Sequence, residues 1–425
     1  MSDAGDDAPP GRAGARRSDL AVLVAALGLS MGGAYLVLPF LAIYLTSERQ
    51  LSIAAGGAVL TTIVVLERGG TFVTGILSDR YSPRALMVAG MAAGGAGFLL
   101  LASARQTAPI VASAVLLGVG NAFFVPACKA VLAVAAEVYG PRVFALRSTA
   151  ANAGSALGPL VGGVFYDHFT ALLVAAAVLH LACVVPVSRL RASAASGSAR
   201  AMGLVERARS ILSDPAAMWL MVASIGFWTC FSQITLSFPL HAQDVLGSPG
   251  AVGVFTTLNA VIIIAAQILL VRIVLKRPDQ AVGVIVRGML LMVAAFGALM
   301  TGRSAVQLVA FIVFFSLSEL LLGPALDTAA HAIAPRGQEA AYLGFVSVGW
   351  AVGAVLGNQL AVLTFDRAPG SGSHLVTWGS CTVIAVGTAA AFHLFRTTFR
   401  KRSAVLAAEP RDAVGDKSTA QAGGM

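Results

Sequence analysis

The sequence predicts an all-α integral membrane protein, with twelve transmembrane helices in two pseudo-symmetric six-helix bundles. Three observations carry this: an apolar composition, apolar runs of membrane-spanning length, and a lopsided placement of Lys and Arg. The chain is 57% hydrophobic and 12% charged, whereas an ordinary soluble domain is about 45–50% apolar and about 25% charged.

A helix needs about 20 apolar residues to cross a bilayer core. The runs fall at roughly 20–45, 53–76, 85–104, 109–135, 143–165, 171–188, 217–240, 252–275, 281–301, 305–332, 341–364 and 375–395. An even number places both termini on one side. With the N-terminus cytoplasmic, the inner segments hold Arg12, Arg16, Arg17, Arg80, Arg84, Arg142, Arg189, Arg191, Arg200, Arg207, Arg209, Lys276, Arg277, Arg336 and the basic tail Arg396–Arg402. The outer loops keep only Arg49, Arg105, Arg303 and Arg367. Cytoplasmic loops carry the excess of Lys and Arg in multi-pass proteins. The expected location is therefore a bacterial inner (plasma) membrane with both termini cytoplasmic. The net charge of +9 is a topology signal, and no nucleic acid partner is expected.

The organisation follows. Residues 1–19 are a polar cytoplasmic segment, 20–190 the first six-helix bundle, 191–216 a cytoplasmic linker rich in Ala, Ser and Arg, 217–396 the second bundle, and 397–425 a basic cytoplasmic tail. The bundles echo each other. Asn121 lies five residues before Pro126 and Lys129 three after it; Glu319, Pro324 and Asp327 repeat that spacing. GSALGPLVGG at Gly154–Gly163 is echoed by GWAVGAVLGN at Gly349–Asn358. Two related six-helix halves with polar residues at mid-membrane are a transporter signature.

The four cysteines, Cys128, Cys183, Cys230 and Cys381, stand singly in apolar runs and read as small fillers. No metal site or cofactor is expected. Neither a GK[ST] phosphate loop, nor HExxH, nor a DDxxD cluster occurs, so an ATP-driven pump or a membrane enzyme is disfavoured.

The loop GILSDRYSPR at Gly75–Arg84 resembles the G-x-x-x-D-R-x-G-R-R/K pattern of the major facilitator superfamily, with Gly75, Asp79, Arg80 and Arg84 matching. Ser82 and Pro83 depart from it. The resemblance implies a latch that closes the cytoplasmic side in the outward-facing state. GSALGPLVGG matches, position for position, the G-x-x-x-G-P-x-x-G-G motif in the fifth helix of that family's drug–proton antiporters. Gly154, Gly158 and Gly162 recur every fourth residue and form a smooth face for close helix contact. Gly163 completes the motif, and Pro159 removes one helical hydrogen bond and invites a bend. The resemblance spans about residues 20–395 and is nearest to twelve-helix bacterial drug exporters. The arginine those proteins carry in helix four is absent: Ala114 stands four residues before Gly118.

Ionisable groups within apolar spans are costly and mark functional sites. Glu67 lies twelve residues before Asp79, roughly 18 Å along a helix, and is a proton-carrying candidate together with Glu319 and Asp327. Lys129 and Asp327 occupy corresponding repeat positions and are expected to form a gating ion pair in the outward-facing state. Candidate cavity residues are Tyr35, Phe40, Arg68, Asn121, Phe124, Trp228, Phe231 and Gln233. The resemblance implies a monomeric secondary exporter of small lipophilic or drug-like molecules, working by alternating access in exchange for protons. The alternative is a transporter of one metabolite or lipid, exporter or importer, with different or no proton coupling.

Overall fold

A computed structural model describes residues 17–77, 81–139, 142–190, 209, 211–274, 280–335, 338–365 and 373–408. Among the described residues, the expected apolar runs fall on helical segments, some of them broken by a turn. Helix α1 is Arg17–Val37, prolonged by a 3-10 turn at Leu38–Phe40 and a π-helical turn at Tyr44–Glu48. Then follow α2 (Ile53–Leu77), α3 (Pro83–Ser103), α4 (Thr107–Tyr139), α5 (Arg142–Val164) and α6 (Phe169–Ser188). The second half begins with α7 (Pro215–Phe231), prolonged by a 3-10 turn at Ser232–Ile234 and a segment Ser237–Leu246. It continues with α8 (Ala251–Val274), α9 (Ala281–Met300), α10 (Ala305–Ile333), α11 (Glu339–Phe365) and α12 (Ser373–Ala408).

Among the described residues, 10 helical stretches are long and apolar enough to cross a membrane, and α8 adds a shorter one at Ala251–Ala266. Helix α5 is not among them. Arg147, Ser148, Thr149, Asn152 and Ser155 dilute its apolar character. Its partners explain this: α5 packs along α1 and against α8 of the other half, so much of its surface meets helix rather than lipid.

Helix starts follow local chemistry. Ser82 accepts from the Ala85 amide at 3.2 Å with Pro83 next in line, and Asp214 accepts from the Ala216 amide at 2.9 Å with Pro215 next in line. Each pair couples a side-chain cap to a proline whose missing N–H is not needed in the first turn. Helix α12 runs on to Ala408, so the basic segment expected as a tail begins inside a helix.

The two halves use one packing scheme twice. In the first, α1 packs on α5 and α6, α3 on α4 and α6, and α2 on α4; in the second, α7, α9 and α8 make the same contacts with α10, α11 and α12. The halves meet through α5 with α8 and through α2 with α11. One apolar core joins both halves towards the end remote from the termini, including Phe40, Tyr44, Phe169, Phe238 and Phe255. Towards the other end the first half has a separate core around Leu27, Met87, Met91, Phe124 and Leu132. The bundle is closed at the remote end. All four cysteines are buried and free, as fillers should be.

Candidate functional site

Small residues set the helix spacing around the site. A methyl added at Gly154 would lie 2.6 Å from the Gly28 carbonyl oxygen, and one at Gly158 would lie 2.9 Å from that of Gly32. Gly162 meets the Leu36 carbonyl and Phe40. The smooth face of α5 is therefore turned to α1. The second half repeats this against α7, where a methyl added at Gly353 would lie 2.8 Å from the Ile225 carbonyl oxygen and one at Gly357 would lie 2.5 Å from that of Thr229. Gly163 has a different partner. It lies against Gly250 and Gly253 at the start of α8, and Gly253 also approaches the Pro159 carbonyl. One motif thus serves two joints, one inside a half and one between halves.

Where the halves meet at mid-helix, charged and aromatic side chains converge. Arg68 pairs with Glu67 at 3.3 Å. The Glu67 carboxylate also accepts from the Asn121 amide at 3.3 Å, across to α4. The guanidinium of Arg68 lies 3.3 Å from the centroid of the Trp350 ring on α11. Trp350 stacks on Trp228 at 4.0 Å and 8°, and Phe231 stands edge-on to both. Trp228, Trp350 and Phe231, with Phe227, Ile263, Leu320, Gly323, Pro324 and Glu319, line a cavity of about 260 Å³. Glu319 accepts from Asn259 at 3.1 Å, and the same amide reaches Ser316 at 3.0 Å. Among the described residues no cation pairs with Glu319. Tyr35 lies within electrostatic reach of Glu319, Glu67 and Arg68.

The halves therefore hold the same carboxylate–amide pair with roles exchanged. The acid sits on α2 and the amide on α4 in the first half; the amide sits on α8 and the acid on α10 in the second.

Of the candidate residues, Trp228 and Phe231 line this cavity and Tyr35, Arg68 and Asn121 lie near it, while three lie elsewhere. Phe40 is fully buried beside Gly162 and Gly253, where it plugs the closed end. Phe124 is buried in the separate core of the first half. Gln233 is buried and donates to the Gly357 carbonyl at 3.0 Å, tying the broken turn of α7 to α11. A buried amide at a helix break satisfies backbone oxygens that the helix leaves unpaired. Trp350 and Asn259 complete the site. Trp350 stands beside Gly349 in the echo of the glycine motif, and Asn259 is a lone amide in the apolar run LNAVIII; both signals were available.

Of the expected latch, Asp79 and Arg80 lie outside the described residues. Gly75 is in the last turn of α2, and Arg84 donates to the Leu190 carbonyl beyond α6 at 3.2 Å. Lys129 and Asp327 are both exposed and are not in an ion pair here. A larger groove of about 820 Å³ runs between α1 and α5, but its wall is apolar and includes the exposed Leu29, Leu146 and Leu157.

A twofold-repeated helical bundle with ionisable and aromatic groups between its halves has the architecture of a secondary transporter. A sequence profile of the Major Facilitator Superfamily matches residues 23–358, and the chain belongs to that family. It is similar to the multidrug resistance protein MdtH of Aeromonas hydrophila, 26% identical over 361 residues, covering 84% of this chain and 90% of the relative. MdtH of Klebsiella pneumoniae is 25% identical, covering 89% and 94%. An uncharacterized MFS-type transporter, YttB of Bacillus subtilis, is 25% identical, covering 82% and 88%. Among solved structures, a POT family transporter bound to a thioalcohol-conjugated peptide superposes with a TM-score of 0.76 at 13% identity, covering 89% of this chain and 96% of the other. A mutant of the nucleoside transporter NupG also gives 0.76 at 13%, covering 88% and 99%. At that identity they share the fold alone.

Proposed function

We propose that this transporter exports small lipophilic, drug-like molecules in exchange for protons. The observation that carries the reading is the pairing of an aromatic-walled cavity with one carboxylate, Glu319, that lacks a cationic partner among the described residues. Phe227, Phe231 and the edges of the stacked Trp228 and Trp350 offer apolar aromatic surface suited to a lipophilic ligand. Glu67, by contrast, is already matched by Arg68, so Glu319 is the better proton carrier. The similarity to MdtH proteins and the antiporter motif of α5 support export of drug-like compounds.

With the N-terminus cytoplasmic, the closed end is extracellular and the arrangement is inward-open. In that state the Glu319 carboxyl releases its proton to cytoplasmic water and the substrate enters beside the carboxylate. After the halves rock, the carboxylate takes a proton from outside and the substrate leaves. One proton and one substrate exchange places on one group, which is the minimum antiport requires. Lys129 and Asp327 meet only in the outward-open form, with the Gly75–Arg84 loop as its latch. Asp327, next to that gate, is a secondary proton candidate.

The test uses everted membrane vesicles energised to an acid interior, with internal pH followed by a fluorescent amine. Lipophilic compounds should trigger proton release that vanishes in Glu319→Gln and survives in Glu67→Gln. Loss in Glu67→Gln alone would move the proton to α2. No release with any compound would favour a narrow metabolite or lipid substrate.

A further inference from the structure

A second polar cavity lies on the outside of the second half, at the end of the bundle that carries Arg17 and Ala408. Gln280, Gly283, Arg287, His393, Arg396 and Arg400 line a cleft of about 350 Å³ between α9 and α12. His393, Arg396 and Arg400 recur at helical spacing on one exposed face of α12, and Arg287 faces them from α9. The Arg287 Nε donates to the Gly283 carbonyl at 3.2 Å, and the Arg396 guanidinium lies 4.0 Å from where a Gly283 methyl would be.

Three arginines converge here, and among the described residues no carboxylate meets them. Among the described residues the ion pairs involve Arg68, Arg303 and Arg402, and none of Arg287, Arg396 and Arg400 has an acidic partner. The surface beside them is made for lipid: Leu290 on α9 is 56% exposed and Leu394 on α12 is 72% exposed. Arg287 stands six residues into α9, roughly 9 Å along the axis. An outward-facing cation at that depth needs an anion, and a basic pocket between transmembrane helices at the cytoplasmic end is the shape an anionic head group fits.

We infer that this cleft binds the phosphate of an anionic phospholipid, with Arg287, Arg396 and Arg400 as its ligands and the acyl chains lying along Leu290 and Leu394. The site is separate from the transport cavity and does not depend on what is transported.

The experiment places the full chain in phosphatidylcholine nanodiscs with increasing phosphatidylglycerol, then counts retained lipids by native mass spectrometry after gentle detergent release. The wild type retains phosphatidylglycerol in preference to phosphatidylcholine. Each of Arg287→Gln, Arg396→Gln and Arg400→Gln lowers that preference roughly fivefold, while Arg105→Gln, at the opposite end, leaves it unchanged. Arg400 lies near the exposed end of α12, so its variant folds and reads binding alone. Equal retention of the two lipids by the wild type overturns the assignment, as does an unchanged preference in the triple variant. Inorganic phosphate that displaces the retained lipid at comparable concentration assigns the cleft to a free anion and overturns the lipid reading.

Discussion

The guanidinium of Arg68 in the first half lies 3.3 Å from the ring centroid of Trp350 in the second, so a wall of the cavity is also a contact between the halves. Trp350→Ala removes the cover on Arg68 and the stack on Trp228 together. Cation–π and aromatic pairs each contribute on the order of 1 kcal/mol, so affinity for a fluorescent lipophilic ligand should fall roughly tenfold. Trp350→Phe should recover part of it. An unchanged dissociation constant in Trp350→Ala would remove Trp350 from the site.

The two joints of α5 separate by mutation. Gly163→Ala puts a methyl 2.6 Å from the Gly250 carbonyl oxygen, at a seam between the halves near the closed end. It should shift the population towards the open remote end. The readout is increased labelling of a cysteine introduced at Thr257, whose hydroxyl reaches the Ala156 carbonyl across the same pair of helices at 3.3 Å. Gly154→Ala crowds Gly28 within one half, so it should lower the unfolding temperature and leave the labelling unchanged.

Much of this was legible in the sequence, and the reason is physical. Lipid forces each backbone polar group to be satisfied within its own segment, so long apolar runs become helices whatever surrounds them. The glycine spacing revealed the smooth face of α5, but not that Gly163 turns to α8, because a one-dimensional repeat does not name its neighbour. That Phe40, Phe124 and Gln233 lie away from this cavity was hidden for a related reason. The depth of an aromatic or amide along a helix is readable; its rotation about the axis is not when nearly every face is apolar. Asn259 and Trp350 are visible as a lone amide and a lone indole in apolar runs, but without periodicity nothing in the sequence turns them towards the cavity.

Lys129 and Asp327 supply a test of the gate. Cysteines placed at these two positions should cross-link poorly in the resting protein, where both residues are exposed. Combining them with Gly163→Ala should increase cross-linking several-fold. The native thiols are buried and leave the background low. Cross-linking that is insensitive to Gly163→Ala would end the gate proposal.

Asp214 joins three elements of the second half. It caps α7, accepts from the Tyr342 hydroxyl at 2.7 Å and pairs with Arg402 at 3.2 Å. Asp214→Ala leaves these donors unmatched and should destabilise the protein by about 2–3 kcal/mol, seen as a lower unfolding temperature in detergent. Transport per folded molecule should change little, since the network is remote from the cavity.

The seam of Gly163, Gly250 and Gly253 brings main chain against main chain. Such a joint parts and re-forms without repacking rotamers, so its strength is inscribed in the path of two backbones. Evolution can therefore retune the cavity by swapping side chains, but at the seam most exchanges only obstruct. New specificities should accumulate around Trp228 and Trp350 while the seam stays nearly frozen.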